Sequence, residues 1–306
     1  MKNKLTLIIL VIFLLLFSAA LSAEEYPLKY TDDLDREIEI RTEVQRIISL
    51  APSVTEIIYE LGREHKLAAV SSACDYPKEA LEKENVGRID EPNIEKIVAL
   101  EPDLVIASSA TKIESLERLT ELGIRNIGFK PESINDTIEM IEDIARLISA
   151  ENEGAEITRK LKKDYRSLKK LVAEELKNKN RPRVFYQIWS DPLYTAGKGT
   201  FIDSIIQDAG GYNIAREAAG SWPTYSSESL VAADPEVYIS SKHSSLEGLT
   251  LEEISQKRIF REVSAFKNNR IYLVDQDLVN RPSPRIIEGY KEFIKAILPE
   301  LKKEID

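Results

Sequence analysis

Residues 151–179, ENEGAEITRKLKKDYRSLKKLVAEELKNK, decide how the rest of the sequence is organised. Apolar side chains recur there every three or four residues, which places one stripe along a helix: Ile157, Leu161, Tyr165, Leu168, Val172 and Leu176. The helix should end before Pro182, because the residue preceding a proline is disfavoured in helical geometry. At about 1.5 Å per residue the segment is a rod of roughly 40 Å. The stripe is too short and irregular for a coiled coil, and we interpret the helix as a spine that joins two globular lobes.

The amino terminus has the pattern of a secretory signal peptide. Lys2 and Lys4 precede an unbroken apolar run over residues 7–17, and small residues follow at 19–23. The apolar run is short for a membrane-spanning helix. We therefore predict that residues 1–22 are an export signal, cleaved after Ser22 or Ala23, and that the mature chain keeps no membrane anchor. No cysteine stands at this junction, from which we predict that the protein is not a lipoprotein.

The composition argues against several classes of function. The formal net charge of −10 disfavours nucleic acid and anionic membrane surfaces as partners. Cys74 is the only cysteine, so no intramolecular disulfide can form, and His65 and His243 lack the spacing of metal ligands. We find no Gly-x-Ser-x-Gly elbow, phosphate-binding glycine loop or acid–base cluster. The sequence therefore predicts a binding protein without cofactor or metal, rather than an enzyme.

Strands and helices alternate on both sides of the spine. Before it, predicted strands at 46–50, 67–71, 104–107 and 124–129 alternate with helices at 53–61, 93–100, 111–122 and 133–148. After it, strands at 184–188, 237–240 and 270–274 alternate with helices at 200–209, 226–233, 251–266 and 284–298. Ser53 and Glu56 have the spacing of a capping box at the start of the first helix. The alternation indicates parallel β/α units, with a first lobe over 23–148, the linking helix over 149–179 and a second lobe over 180–306.

The two halves also match each other. Residues 93–108 and 226–241 align without a gap, 133 positions apart, with six identities in sixteen. Glu95 aligns with Glu228, and Pro102 aligns with Pro235. We infer two similar α/β lobes that face each other, with a ligand cleft between them at the carboxyl ends of the strands.

The candidate ligand-binding residues lie in loops that follow strands: Asp75, Tyr76, Trp189, Asp191, Tyr194, Trp222 and Arg281. Aromatic rings can cover a flat or apolar ligand, and a guanidinium can bind an acidic or carbonyl-bearing edge. The alternatives are lobe-core packing for the tryptophans and a surface salt bridge for Arg281. We expect Arg285 to pair within its own lobe. An exported α/β enzyme would instead need turnover that depends on Asp75, Asp191 or Arg281, and a scaffold would gain no stability from a small molecule.

Several of these motifs resemble one family of proteins. The motifs are APSVTE at 51–56, SSACDYP at 71–77, residues 93–103, TAGKG at 195–199, the Trp222-Pro223 pair and RPSPR at 281–285. They are similar to the cobalamin-binding members of the helical-spine class of ABC-transporter substrate-binding proteins, and the similarity covers essentially the whole mature chain. The resemblance implies two Rossmann-like α/β lobes with central, mainly parallel sheets, joined by one long helix. It also implies a periplasmic monomer that delivers a small molecule to a membrane permease. The implied permease is a two-fold dimer that works with its own ATPase.

The resemblance further implies roles for individual residues. Trp222 contacts the ligand from the second lobe, Tyr76 lies at the rim of the first lobe, and Arg281 lies at the mouth of the cleft. Glu95 and Glu228, one on each lobe, engage arginines of the two permease subunits. The alternative for these glutamates is a solvated position near the positive end of a helix dipole.

Departures from the cobalamin-binding pattern bear on the ligand. Ala73, Ile89 and Ser108 stand where the cobalamin binders have aromatic residues, and Leu278 stands where an aromatic is expected beside Arg281. Trp189 and Tyr194 are expected to compensate for these missing aromatic side chains from the other side of the cleft. The predicted ligand is a corrinoid, and a ferric siderophore is the alternative.

Overall fold

The protein has two α/β lobes joined by a long helix, which confirms the predicted fold class. The structure is a computed structural model, and it describes residues 26–190, 192–242 and 258–305. The predicted signal peptide, Asp191, His243 and the first part of the predicted helix at 251–266 lie outside the described residues.

The first lobe contains a hairpin followed by a parallel sheet. The strands are β1 (Leu28–Thr31), β2 (Glu37–Ile40), β3 (Ile47–Ser49), β4 (Leu67–Val70), β5 (Glu84–Asn85), β6 (Leu104–Ser108) and β7 (Asn126–Phe129). The helices are α1 (Pro52–Glu60), α2 (Ile94–Ala99), α3 (Ile113–Glu121) and α4 (Ile134–Leu147). β1 and β2 pair antiparallel, whereas the other five strands form a parallel sheet in the order β5-β4-β3-β6-β7. The carboxyl ends of these five strands therefore point to one edge of the lobe.

The predicted spine is helix α5 (Glu151–Glu175). It ends four residues before the predicted boundary at 179, and four of the six predicted stripe residues are buried: Leu161, Tyr165, Leu168 and Val172. Its start packs closely on α4, since an added Cβ at Gly154 would lie 2.4 Å from the Ala145 Cβ. Further along, Lys169 Nζ lies 2.8 Å from Asp208 of the second lobe. The helix thus contacts both lobes; neither it nor any other described helix is long and apolar enough to cross a membrane.

The second lobe repeats the β/α pattern. Its strands are β8 (Arg183–Ser190), β9 (Leu193–Thr195), β10 (Tyr212–Asn213), β11 (Val237–Lys242) and β12 (Ile271–Asp275). Its helices are α6 (Phe201–Asp208), α7 (Ser227–Ala233), α8 (Ser264–Lys267), α9 (Gln276–Val279), α10 (Ile286–Ile297) and α11 (Lys302–Ile305). The parallel order is β10-β8-β11-β12, and β9 adds antiparallel to β8.

The sequence repeat corresponds to a repeated unit in the structure. α2–β6 and α7–β11 are equivalent, and in each helix the N-cap side chain, from Asn93 or Ser226, accepts a hydrogen bond from the backbone N–H three residues on. The turn to the strand uses a left-handed residue at the same aligned position, Glu101 with φ 47° and Asp234 with φ 43°. Both strands then occupy equivalent places in their sheets, with β6 beside β3 and β11 beside β8.

Candidate functional site

A cavity of about 690 Å³ lies between the two lobes, at the carboxyl ends of the strands. The first lobe contributes Ala51, Pro52, Ser53, Ser72, Ala73, Asp75, Ile89, Ser108, Ser109, Ala110, Phe129, Pro131 and Met140 to its wall. The second lobe contributes Ile188, Phe201, Ile202, Trp222, Gln276, Asp277, Asn280, Arg281 and Pro282. Most of these residues follow a strand directly, because the parallel strands of both sheets end at this edge.

The structure brings three of the predicted binding residues together at this cavity. Asp75, Trp222 and Arg281 line it, and Trp222 is 54% exposed, so a large ring surface is open to a ligand. Trp189 and Tyr194 do not line it. They lie in strands rather than in the predicted loops, as paired residues of the antiparallel β8–β9 ladder, and are 51% and 37% exposed.

Tyr76 also lies outside the cavity wall. Its ring instead stacks against the guanidinium of Arg285, with the Arg285 Cζ 3.8 Å from the ring centroid. Such a contact between an aromatic face and a cation is favourable by about 0.5–2 kcal/mol, depending on how far it is desolvated. Because Tyr76 belongs to the first lobe and Arg285 to the second, this predicted rim residue contributes to the contact between the lobes.

Arg281 is the centre of a charged cluster at one end of the cavity. Its Nη1 lies 2.7 Å from Asp75 Oδ1 and 3.5 Å from Glu56 Oε1, both in the first lobe, and its Nη2 lies 3.0 Å from Asp277 Oδ1. Burial raises the pKa of Asp277, an effect that Arg281 opposes and the Asp75 charge reinforces. The cluster gives an otherwise largely apolar cavity one polar end, where ligand oxygens and N–H groups can be oriented.

The structure contradicts two local interpretations of the sequence. Arg285 does not pair within its own lobe, because its Nε and Nη2 donate to Glu56 Oε2 and Oε1 at 2.9 and 2.7 Å. Ser53 and Glu56 do not form a capping box either. The N-cap of α1 is Ala51, without a side-chain cap bond, and Pro52 opens the helix. Glu56 is free to face the other lobe because the helix start does not use its carboxylate.

The two predicted docking glutamates occupy equivalent surface positions. Glu95 lies in the first turn of α2, and Glu228 lies in the first turn of α7; both are exposed. Neither is among the residues that line the cavity. A negatively charged side chain in the first helical turn interacts favourably with the helix dipole, which suits both positions.

The sequence did not identify much of the apolar wall. Phe129, Met140, Ile188, Phe201 and Ile202 all line the cavity, yet in the sequence they are indistinguishable from residues that pack in a lobe core. Their position in the β/α pattern could have identified some of them as wall residues, since Phe129 ends β7 and Phe201 begins α6 directly after a loop. Ala73, Ile89 and Ser108, where aromatics were expected by resemblance, do line the cavity. Within the described ranges no group of acidic, histidine or cysteine side chains has the geometry to hold a metal ion.

Comparison with known proteins shows which protein family has this sequence and architecture. A family model described as periplasmic binding protein matches residues 47–278. A vitamin B12-binding protein of Vibrio parahaemolyticus is 32% identical over 251 residues, which is 81% of this chain and 88% of the relative. The crystal structure of the periplasmic vitamin B12-binding protein BtuF of Vibrio cholerae superimposes with a TM-score of 0.74 at 29% identity, covering 85% of this chain and 98% of that one.

One relative corrects a prediction. The uncharacterized ABC transporter substrate-binding lipoprotein YvrC of Bacillus subtilis is 30% identical over 286 residues, covering 92% of this chain and 88% of its own length. The prediction that the protein is exported in a form that is not a lipoprotein is therefore wrong. It rested on one local feature, the lack of a cysteine near residue 22, whereas the relative that matches nearly the full length is a lipoprotein by name.

The family match spans most of the chain, and the superimposed crystal structure shares the two-lobe α/β fold. The members bind solutes for transport and do not convert them, and the solute is cargo rather than a cofactor. The chain belongs to the periplasmic binding protein family and is an ABC-transporter substrate-binding protein.

Proposed function

We propose that the protein binds a corrinoid in the cavity between its lobes and delivers it to the permease of an ABC importer. The observation that carries the proposal is the cavity itself, about 690 Å³ with walls from both lobes, an exposed tryptophan on one side and a charged cluster at one end. Its volume lies within the roughly 300–1,000 Å³ typical of small-molecule ligand sites. The relatives named as vitamin B12-binding proteins support the same ligand class.

The chemistry of the wall agrees with a corrinoid. The ring system of such a ligand is broad and largely apolar, which suits the ring of Trp222 and the apolar side chains of Phe129 and Phe201. Its amide side chains carry both hydrogen-bond donors and acceptors, for which Asp75 and Arg281 are complementary partners.

Titration calorimetry against cyanocobalamin, cobinamide, haemin and a set of ferric chelates tests the proposal. We expect one saturable site for the two corrinoids and a red complex whose visible spectrum is that of bound corrin. Binding of a ferric chelate without corrinoid binding would assign the alternative ligand, a ferric siderophore. Absence of binding to any of these compounds would overturn the proposal.

We further infer that the monomer docks on the permease through Glu95 and Glu228. Two carboxylates at equivalent positions of two similar lobes match what a two-fold symmetric permease presents, one arginine-bearing site per subunit. Both glutamates are exposed and outside the cavity, so docking and ligand binding use separate surfaces. The interaction is expected to weaken as ionic strength rises, because exposed charges are screened within about 8–10 Å.

The division of the chain is part of the same proposal. Residues 1–22 act as an export signal. Residues 23–148 and 180–306 form the two lobes that bind the ligand between them, and residues 149–179 form the helix that links the lobes. Limited proteolysis checks this division. We expect cleavage in the exposed segment after α5, residues 177–181, to separate one fragment that contains the first lobe and α5 from a second that contains the second lobe.

A further inference from the structure

Glu56 is a buried carboxylate, and its side-chain partners among the described residues come from the opposite lobe. Only 2% of its side chain is exposed. Its two oxygens accept hydrogen bonds from Arg285 at 2.7 and 2.9 Å, and its Oε1 also lies 3.5 Å from Arg281 Nη1. These donors lie 225 and 229 positions further along the chain. The contact therefore exists only while the two lobes stand at their observed separation.

This contact is next to the cavity without being part of its wall. Pro52 and Ser53, one turn earlier in α1, line the cavity, as does Arg281, whereas Glu56 and Arg285 do not. Glu56 thus connects the two walls directly behind the ligand space. Any effect of Glu56 on a ligand must pass through the side chains that it holds.

Arg285 is fixed on two sides by first-lobe groups. Its Nε and Nη2 are bound by Glu56, and its guanidinium lies against the Tyr76 ring at 3.8 Å. The residue before Tyr76, Asp75, lines the cavity and binds Arg281. A paired guanidinium and carboxylate have a fixed mutual orientation, so this arrangement sets both the angle and the separation of the lobes.

We propose that Glu56 is a positioning residue for ligand capture, which orients Arg281 and fixes the separation of the cavity walls by holding Arg281 and Arg285 across the lobes. The proposal rests on the proposed function in that the cavity takes a small molecule. Charge-assisted hydrogen bonds of this length are lost when their partners separate by about an ångström, and water then solvates both charges. We call this contact of Glu56 with Arg281 and Arg285 the interlobe latch, because it forms only when the two lobes stand at the observed separation.

The first test measures ligand kinetics by stopped flow with cyanocobalamin as the probe. Glu56→Gln keeps the size of the side chain and removes its charge, and we expect dissociation about tenfold faster with association changed less than threefold. Glu60→Gln makes the same chemical change on an exposed residue of the same helix, and should match the wild type. Glu56→Asp, which keeps the charge but shortens the reach, should lie between. In the double variant Glu56→Gln/Arg285→Gln the two effects should be less than additive, because either single change already removes the Glu56–Arg285 hydrogen bonds.

The second test needs no ligand and measures the interlobe distance. Spin labels at Glu117→Cys in the first lobe and Asn268→Cys in the second, both exposed, are read by pulsed electron resonance in a Cys74→Ala background. We expect one narrow distance distribution, which Glu56→Gln broadens and Glu60→Gln does not. If Glu56→Gln leaves the distribution unchanged, the latch does not set the separation and the proposal is wrong.

The two tests separate the possible failures. A wild-type protein that does not bind cyanocobalamin overturns the proposed ligand, while the distance measurement still tests the latch. A broadened distribution together with unchanged dissociation shows that Glu56 supports the fold without positioning the site, which overturns the proposal.

Discussion

Replacing Trp222 with alanine should weaken ligand binding while replacing Trp189 should not. The two tryptophans of the chain are similarly exposed, 54% for Trp222 and 51% for Trp189, but only Trp222 lines the cavity. Trp189 is therefore a control with the same chemistry and nearly the same exposure. Each variant is compared with the wild type for corrinoid affinity and for thermal stability without ligand.

The magnitude follows from the surface that a ligand can cover. With a tryptophan side chain of about 250 Å², the 54% that is exposed corresponds to about 135 Å². At about 25 cal/mol per Å² that area is equivalent to roughly 3 kcal/mol if the ligand covers all of it. A flat ligand covers mainly one ring face, so we expect a loss of about 1–3 kcal/mol, or roughly 5–150-fold in Kd.

Calorimetry with cyanocobalamin measures this difference, and differential scanning calorimetry measures stability. Both variants should lose a similar amount of thermal stability, because the two side chains bury similar fractions of their surface. Trp189→Ala should keep its affinity within about twofold of the wild type. Equal loss of affinity in both variants would refute the assignment of Trp222 as a wall residue, and so would unchanged affinity in Trp222→Ala.

Three further predictions concern the surface, the spine and the pH dependence of stability. Glu95→Ala and Glu228→Ala should keep ligand affinity within about twofold and weaken association with the permease, the double variant most; loss of ligand by either single variant would contradict this. Gly154→Ala should lower Tm, because the added Cβ would lie 2.4 Å from that of Ala145. Overpacking of this kind costs about 1–3 kcal/mol, more than the roughly 1 kcal/mol that alanine gains over glycine in helix propensity. A higher Tm in the variant would refute this prediction. The backbone and side-chain hydrogen bonds at the start of α8 lower the pKa of Asp234 below its ordinary 3.8, so its ionised form stabilises the fold above that pH. Asp234→Asn should therefore cost up to about 1 kcal/mol at pH 7, since the partly exposed carboxylate is screened, and this difference should disappear in urea titrations as the pH falls through the lowered pKa.

The sequence predicts the fold class well because the signals for it are local. The helices predicted to begin at Asn93, Ser133 and Ser226 are observed, and each of these residues is the N-cap. Such a start can be predicted because a capping side chain bonds a backbone N–H only a few residues away. The one long helix follows from the spacing of its apolar residues. The helix ends at Glu175 rather than at the predicted 179; Leu176 still packs against the core, but the polar residues 177–179 are exposed and gain no packing from a further helical turn.

The candidate site was harder to predict because its contacts join distant parts of the chain. Glu56 and Arg285 are 229 positions apart, and a local motif, the capping-box spacing of Ser53 and Glu56, offered a competing explanation for the carboxylate. The two tryptophans illustrate the same limit. The sequence predicts both in loops, but Trp189 lies within β8 and only Trp222 lies in a loop. Both are exposed, and only the placement of the lobes puts Trp222 in the cavity wall and leaves Trp189 outside it.

The repeated unit has a consequence for how the chain folds. The two segments have the same helix–turn–strand backbone, including left-handed turns at Glu101 and Asp234. During folding, the strand of one segment could therefore pair with the sheet of the other half. Exchange of such similar units is a typical misfolding route of duplicated proteins. Here all strands of the first sheet precede α5, and all strands of the second follow it. An exported chain that emerges amino terminus first can complete the first sheet before the competing segment emerges, so the order of emergence itself protects against the exchange.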